Sequence, residues 1–127
     1  MAKRRKAKRR EKHCRHPCEC GWRVSWTREF RHRAQEMGLW ESIRQELRDL
    51  EKRLRDPGER DRALKLLLSQ PVVSYYPYRG KRYMVRRIYF GRQTARAGFV
   101  IRQDICRVWL IALVPRSNAI YKRKRWV

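Results

Sequence analysis

The sequence predicts an α+β fold: a helical hairpin packed on a small antiparallel sheet, in the order β-α-α-β-β-β, behind a basic, disordered N-terminal arm. Three observations point there. Apolar residues recur at helical spacing from Phe30 to Leu54. Three strand-like runs joined by short turns follow between Lys81 and Val114. The first residues are almost all cations or small.

Residues 1–20 make up the arm. Met1 to His13 contains Lys3, Arg4, Arg5, Lys6, Lys8, Arg9 and Arg10 against one acid, Glu11. With no core-forming residue it is expected to be mobile when free and to order on a phosphate backbone. Residues 21–127 are expected to be the folded domain. Trp22-Arg23-Val24-Ser25-Trp26 alternates apolar and polar, the period of a half-buried strand. Thr27 is placed to cap a helix, with Glu29 in its first turn. Phe30, Ala34 and Met37 then follow at helical spacing, and Gly38 ends the helix. Leu39, Ile43, Leu47, Leu50 and Leu54 line one face of a second helix, which Pro57-Gly58 stops.

Leu64, Leu66, Leu67 and Leu68 suggest a short third helix or a buried segment between Glu59 and Ser69. Pro71 to Gly80 reads as a linker rich in Tyr and Pro. Lys81–Phe90, Ala95–Arg102 and Cys106–Val114 are the expected strands, with Gly91–Thr94 and Gln103–Asp104 as turns. Pro115 ends the last strand. A four-stranded sheet of this kind carries its helices on one face and leaves the other open.

Charge is the strongest functional signal. The 127 residues include 35 Lys and Arg against 12 Asp and Glu, a formal net charge of +23. Such a balance repels itself and calls for a polyanionic partner. An anionic membrane surface is the other candidate, but no apolar run approaches the ~20 residues of a span. The N-terminus lacks the apolar core of a secretory signal. A cytoplasmic protein with no membrane partner is the expectation.

Function is expected on the open sheet face. Lys81, Arg82, Arg86 and Arg87 lie on its first long strand, Arg92 in the turn, Arg96 and Arg102 on the second, and Arg107 on the third. Arg116 and Tyr121 follow, with Lys122 and Arg123 beyond. Arginines on a concave sheet can grip a bent phosphodiester and offset charge growing on it. A generic RNA-binding surface without catalysis explains the same composition. Lys81, Arg82, Arg87, Arg92, Lys122, Arg123, Lys3, Arg4 and Arg5 are the expected RNA contacts. Tyr75, Tyr76, Tyr78 and Tyr83 interleave with Arg79, Lys81 and Arg82, a pattern that suits single-stranded RNA or a tyrosine-rich loop over the core edge.

Cys14, Cys18 and Cys20 crowd together and Cys106 lies far away, a poor disulfide framework for a chain without an export signal. With His13 and His16 they could ligate zinc, but the spacing is unlike a zinc finger. No metal or cofactor is expected. Cys106 is expected to face the core and His32 to be a solvated helix residue.

The runs Tyr83-Met-Val-Arg-Arg-Ile, Arg96-Ala-Gly-Phe-Val-Ile and Trp109-Leu-Ile-Ala-Leu-Val-Pro-Arg-Ser-Asn-Ala-Ile-Tyr121, with the strand and helical hairpin before them, resemble the RelE/ParE toxin superfamily from about Trp22 to Lys122. The resemblance implies a RelE-like mRNA interferase of a type II toxin–antitoxin system. Such an enzyme is a metal-independent endoribonuclease that cuts mRNA on the ribosome and is neutralised by an acidic antitoxin. The messenger's 2′-hydroxyl attacks the adjacent phosphate while basic side chains offset the transition-state charge. By the same resemblance Arg96, Arg116 and Tyr121 match catalytic positions, with Arg86 the best match on the first strand. The family often has Lys where Met84 falls here, the hairpin from Arg87 to Arg96 is longer than usual, and the arm before Trp22 is not a family feature. Two other readings stand beside this one: a non-catalytic RNA- or ribosome-binding protein on the same fold, and a ParE-like gyrase inhibitor.

Overall fold

The structure is a computed structural model, and it describes residues 15–116. The arm residues Lys3, Arg4 and Arg5 and the C-terminal Tyr121, Lys122 and Arg123 lie outside that range.

A 3-10 turn, Pro17–Cys20, leads into β1 (Arg23–Trp26). Three helices follow: α1 (Arg28–Glu36), α2 (Trp40–Arg55) and α3 (Arg60–Leu68). Four strands complete the described chain: β2 (Val72–Tyr78), β3 (Lys81–Phe90), β4 (Ala95–Arg102) and β5 (Arg107–Pro115). They form one five-stranded sheet in the order β1-β5-β4-β3-β2.

The helices begin and end for local reasons. The Thr27 hydroxyl accepts from the Phe30 amide at 3.1 Å and caps α1, satisfying one of the amides a helix start leaves open. Gly38, at φ 71°, makes the turn into α2. At the end of α2, Arg60 donates through Nε to the Leu54 carbonyl at 2.6 Å and through Nη2 to that of Arg55 at 3.3 Å. A cation there also complements the negative end of the helix dipole. The apolar stripes face the sheet. Phe30 and Ala34 of α1, Trp40, Ile43, Leu47 and Leu54 of α2, and Ala63 and Leu67 of α3 are buried against Val24, Phe90, Ala95, Ala97, Phe99, Val108, Leu110 and Leu113. Each fully buried Leu or Ile contributes roughly 1.5–3 kcal/mol.

Polar side chains on α2 tie the layers together. The Glu51 carboxylate accepts from the Val24 amide at 2.9 Å, so the outer edge of β1 is covered by a side chain. Arg55 donates through Nε to the Trp22 carbonyl at 2.7 Å. Glu46 accepts from the Gly91 amide at 2.7 Å and holds the β3–β4 turn, where Gly91, Arg92 and Gln93 are all left-handed at φ 61°, 57° and 66°.

Three expectations are corrected. The segment from Pro71 to Gly80 is an edge strand for most of its length, pairing Tyr75 with Met84, Tyr76 with Tyr83 and Tyr78 with Lys81. The sheet therefore has five strands, and Pro77 is tolerated because an edge position does not need its amide. The sheet is mixed rather than antiparallel: β1 runs parallel to β5, with Arg23 opposite Arg107 and Val24 opposite Val108. The cysteines do form a disulfide framework. Cys18 is bonded to Cys106, with Cα atoms 5.1 Å apart, and Cys20 is disulfide-bonded as well. The Cys18–Cys106 bond fastens the 3-10 turn to the β4–β5 turn. Cys106 is half-buried against the core edge, as expected, but as a cystine. The short third helix is present as α3, and no described helix is long and apolar enough to cross a membrane.

Candidate nucleic-acid interface

Alternation along the strands decides which cations share a face. On β3, Ile88 and Phe90 pack into the helix-side core, so Met84 and Arg86 point the same way. Val85, Arg87 and Tyr89 point to the other face. Register extends this across the sheet: Tyr89 pairs with Arg96, Arg87 with Gly98 and Tyr76 with Tyr83. Val100 pairs with Trp109, and Arg102 with Arg107. A bulge at Ile111 on β5 keeps both ends of this strand in phase with β4.

One end of this face gathers three guanidinium groups on a single ring. The Arg116 guanidinium carbon lies 4.8 Å from the Tyr89 centroid, that of Arg87 5.7 Å and that of Arg96 5.8 Å. Each is within cation–π range. Arg96 is 6% exposed and is the one buried charged side chain among the described residues. Arg116 is exposed. It donates to the side-chain oxygen of Gln93 at 2.9 Å, and its own amide bonds the Thr94 carbonyl at 2.8 Å. The left-handed turn at Gln93 thus aims a side chain at Arg116.

Aromatic rings fill the other end. Tyr78 lies edge-on to Trp109 at 5.5 Å and Tyr83 edge-on to Trp109 at 5.9 Å, while Tyr76 stacks on Tyr78 at 6.4 Å. Val85 and Val100 are buried on this face although they lie outside the helix-side core. The face is therefore not bare: a second, smaller apolar cluster covers part of it. The Arg102 guanidinium lies 4.9 Å over Tyr83 and 5.6 Å over Trp109. Its hydrogen bonds and ion pair with Asp104 raise its pKa above the usual arginine value and hold the Asp104 carboxyl below the usual aspartate range. Farther along β5, burial and the charges of Arg23 and Arg55 lower the Arg107 value.

The expected site residues therefore separate. Arg96, Arg116 and Arg87 come together. Arg86 does not join them: it lies on the helix side, donating through Nη1 to the carbonyls of Leu68 at 3.0 Å and Gln70 at 2.9 Å. Arg82 is also on that side, 4.9 Å over Tyr75. Lys81 is exposed at the tip of the β2–β3 hairpin and Arg92 is exposed in the β3–β4 turn. Tyr121, Lys122, Arg123, Lys3, Arg4 and Arg5 fall outside the described residues. Sequence reasoning missed Tyr89 at the centre of the cluster and Trp109 at the centre of the other. Parity along β3 was the available signal: residues in step with Ile88 and Phe90 face the core, so Arg87 and Tyr89 share the other side and Arg86 does not.

Comparison with protein families, with curated proteins and with solved structures finds no match to this chain.

Proposed function

We propose that the protein acts on single-stranded RNA through the sheet face turned away from the helices, as an endoribonuclease of the RelE type. The observation that carries this reading is the convergence of Arg87, Arg96 and Arg116 on Tyr89. Three guanidinium groups on one rigid sheet surface suit a phosphodiester, because each can donate two parallel hydrogen bonds to phosphate oxygens. They also suit the extra negative charge of a phosphorane formed when a 2′-hydroxyl attacks. In this reading Arg96 and Arg116 hold the scissile phosphate, and Tyr121, placed by the family resemblance, orients or deprotonates the 2′-hydroxyl. Arg86 drops out of the chemistry, since its guanidinium closes the end of α3.

The net charge of +23 supports a ribosome- or mRNA-bound protein. It also suits an acidic antitoxin. The half-exposed Leu66, Tyr75 and Met84 give such a partner apolar anchors on the helix side. The cytoplasm is the compartment this activity requires. A disulfide is unusual there, which makes the redox state of Cys18 and Cys106 part of the reading.

A second reading has its own support. The groups gathered at Tyr89 are three arginines, and a glutamine bonds one of them. That arrangement binds phosphate without moving a proton, as in a non-catalytic RNA-binding protein. Incubation of the purified protein with translating ribosomes, followed by mapping of mRNA 5′ ends, separates the two. New ends that vanish with Arg116→Ala and Tyr121→Phe support cleavage. Ribosome binding with intact messenger supports binding alone. Neither binding nor new ends overturns both.

A further inference from the structure

We propose that a pocket at the aromatic end of the same face receives one unstacked nucleobase of the RNA strand; this rests on the reading of the protein as RNA-acting. The cavity holds about 230 Å³ and is lined by Ser25, Trp26, Thr27, Tyr76, Tyr78 and Trp109 among others. That is smaller than the usual site for a drug-sized ligand and suits a single heterocycle rather than a base pair.

The lining residues come from both edges of the sheet. β1 supplies Ser25 and Trp26, and β2, four strands away in the sheet order, supplies Tyr76 and Tyr78. The β2–β3 hairpin therefore curls over the sheet, which brings Tyr78 against Trp109 of β5. The walls are braced. Tyr78 and Tyr83 lie edge-on to Trp109, and Tyr76 stacks on Tyr78. Trp26 packs edge-on against Trp40 at 5.2 Å, and the Arg31 guanidinium lies 5.5 Å over Trp40. Rings already held in place lose little freedom when a flat ligand enters.

The chemistry of the lining is that of a base site. Aromatic faces stack on any base. The Thr27 hydroxyl accepts from the Phe30 amide and keeps its own O–H to donate, and the Ser25 hydroxyl can donate to or accept from a base edge. Cations flank the pocket on the same face. Arg102 lies over Trp109, and Arg23 and Arg107 stand two residues before Ser25 and Trp109 on β1 and β5. On β4, Arg96 and Val100, the partner of Trp109, are four residues apart, which is about 13 Å along a strand. A short stretch of extended single strand spans the two clusters, with a phosphate among the arginines and a base among the rings.

The test compares three ligands on the full chain. They are a short single-stranded oligoribonucleotide, the same oligomer carrying 2-aminopurine, and a ribose-phosphate chain of equal length without bases. Wild-type protein should quench 2-aminopurine fluorescence and bind the base-free chain about tenfold more weakly. Tyr78→Ala should bind both chains alike and lose the quenching. Tyr78 is 38% exposed, so its removal spares the core, and Tyr76→Ala provides a second variant. Equal binding of both chains by wild type, or unchanged discrimination in both variants, overturns the pocket. If equal binding still falls with Arg116→Ala, the RNA reading stands without the pocket. If wild type binds none of the ligands, the RNA reading falls with it.

Discussion

Tyr89 and Arg96 face each other across the β3–β4 pair, and the Arg96 guanidinium carbon lies 5.8 Å from the Tyr89 ring centroid. Arg87 and Arg116 reach the same ring, whereas Arg86, one residue from Arg87, turns to the other side of the sheet. Neighbouring arginines on one strand thus have different surroundings, and substitution distinguishes them.

Arg86→Ala removes the donor to the Leu68 and Gln70 carbonyls. Loss of about 1–2 kcal/mol of stability is expected, with RNA affinity almost unchanged. Arg116→Ala should do the reverse. It should leave stability within ~0.5 kcal/mol, as is usual at exposed positions, and weaken RNA binding severalfold. Urea denaturation and RNA titration on both variants check the pair. Equal effects of the two variants on RNA binding would contradict the assignment of faces.

The Cys18–Cys106 bond closes a loop of 88 residues. On the chain-entropy account, a loop of that size stabilises the folded state by about 4.6 kcal/mol. Cys18→Ser is expected to lower the denaturation midpoint by a corresponding amount while leaving the helix-side core in place, and reduction, which also opens the bond at Cys20, to lower it at least as far. Thiol titration under denaturing conditions, with and without reductant, counts the bonded cysteines, peptide mapping without reductant establishes the pairing, and urea denaturation of the same samples gives the size of the effect.

Asp104 has a carboxyl pKa lowered by its hydrogen bond to Arg102. A carboxylate held below its unfolded value contributes stability above about pH 4, and that contribution is lost as pH falls through the folded value. Asp104→Asn should therefore cost up to ~1 kcal/mol near neutral pH, as befits an exposed ion pair. The difference from wild type should shrink steadily in acid. Urea midpoints measured from pH 7 to pH 2 check the sign. A gap that widens on acidification would refute the assignment.

Removal of residues 1–12 takes away eight cations, Lys3, Arg4, Arg5, Lys6, Lys8, Arg9, Arg10 and Lys12. RNA affinity should fall, and the slope of log K against log salt should flatten by about 0.7 for each phosphate that the arm neutralises. Titrations at several salt concentrations measure this. An unchanged slope would mean that the arm does not touch the nucleic acid.

Much of the helical layer was legible in the residues. Thr27 as a cap, the Phe30–Ala34 step, the Ile43–Leu47–Leu54 stripe and Pro57-Gly58 each state a local preference, and the structure uses all of them. β2 was not legible, because three tyrosines and Pro77 in seven residues resemble a loop until an edge strand gives that proline a place. The parallel pairing of β1 with β5 depends on a crossover that no local pattern announces. The Cys18–Cys106 bond has the same character, since its two turns meet only after the sheet has formed. For the candidate site, charge singled out the last three strands and the family resemblance Arg96 and Arg116, which the structure brings to one ring. The roles of Tyr89 and Trp109 came from register, because on its own each reads as one more apolar strand position.

The position of β5 between β1 and β4 also governs how the chain reaches this structure. β1 is made early, yet its partner in the sheet is the last described strand to emerge. Pairings so distant in sequence slow folding, because the closure entropy is spent before the pairing returns anything. Until Arg107–Pro115 arrives, β1 and β4 each present an unpaired edge, the surface on which chains adhere to one another. Fragments ending before Arg107 are for that reason expected to aggregate rather than to persist as smaller folded units.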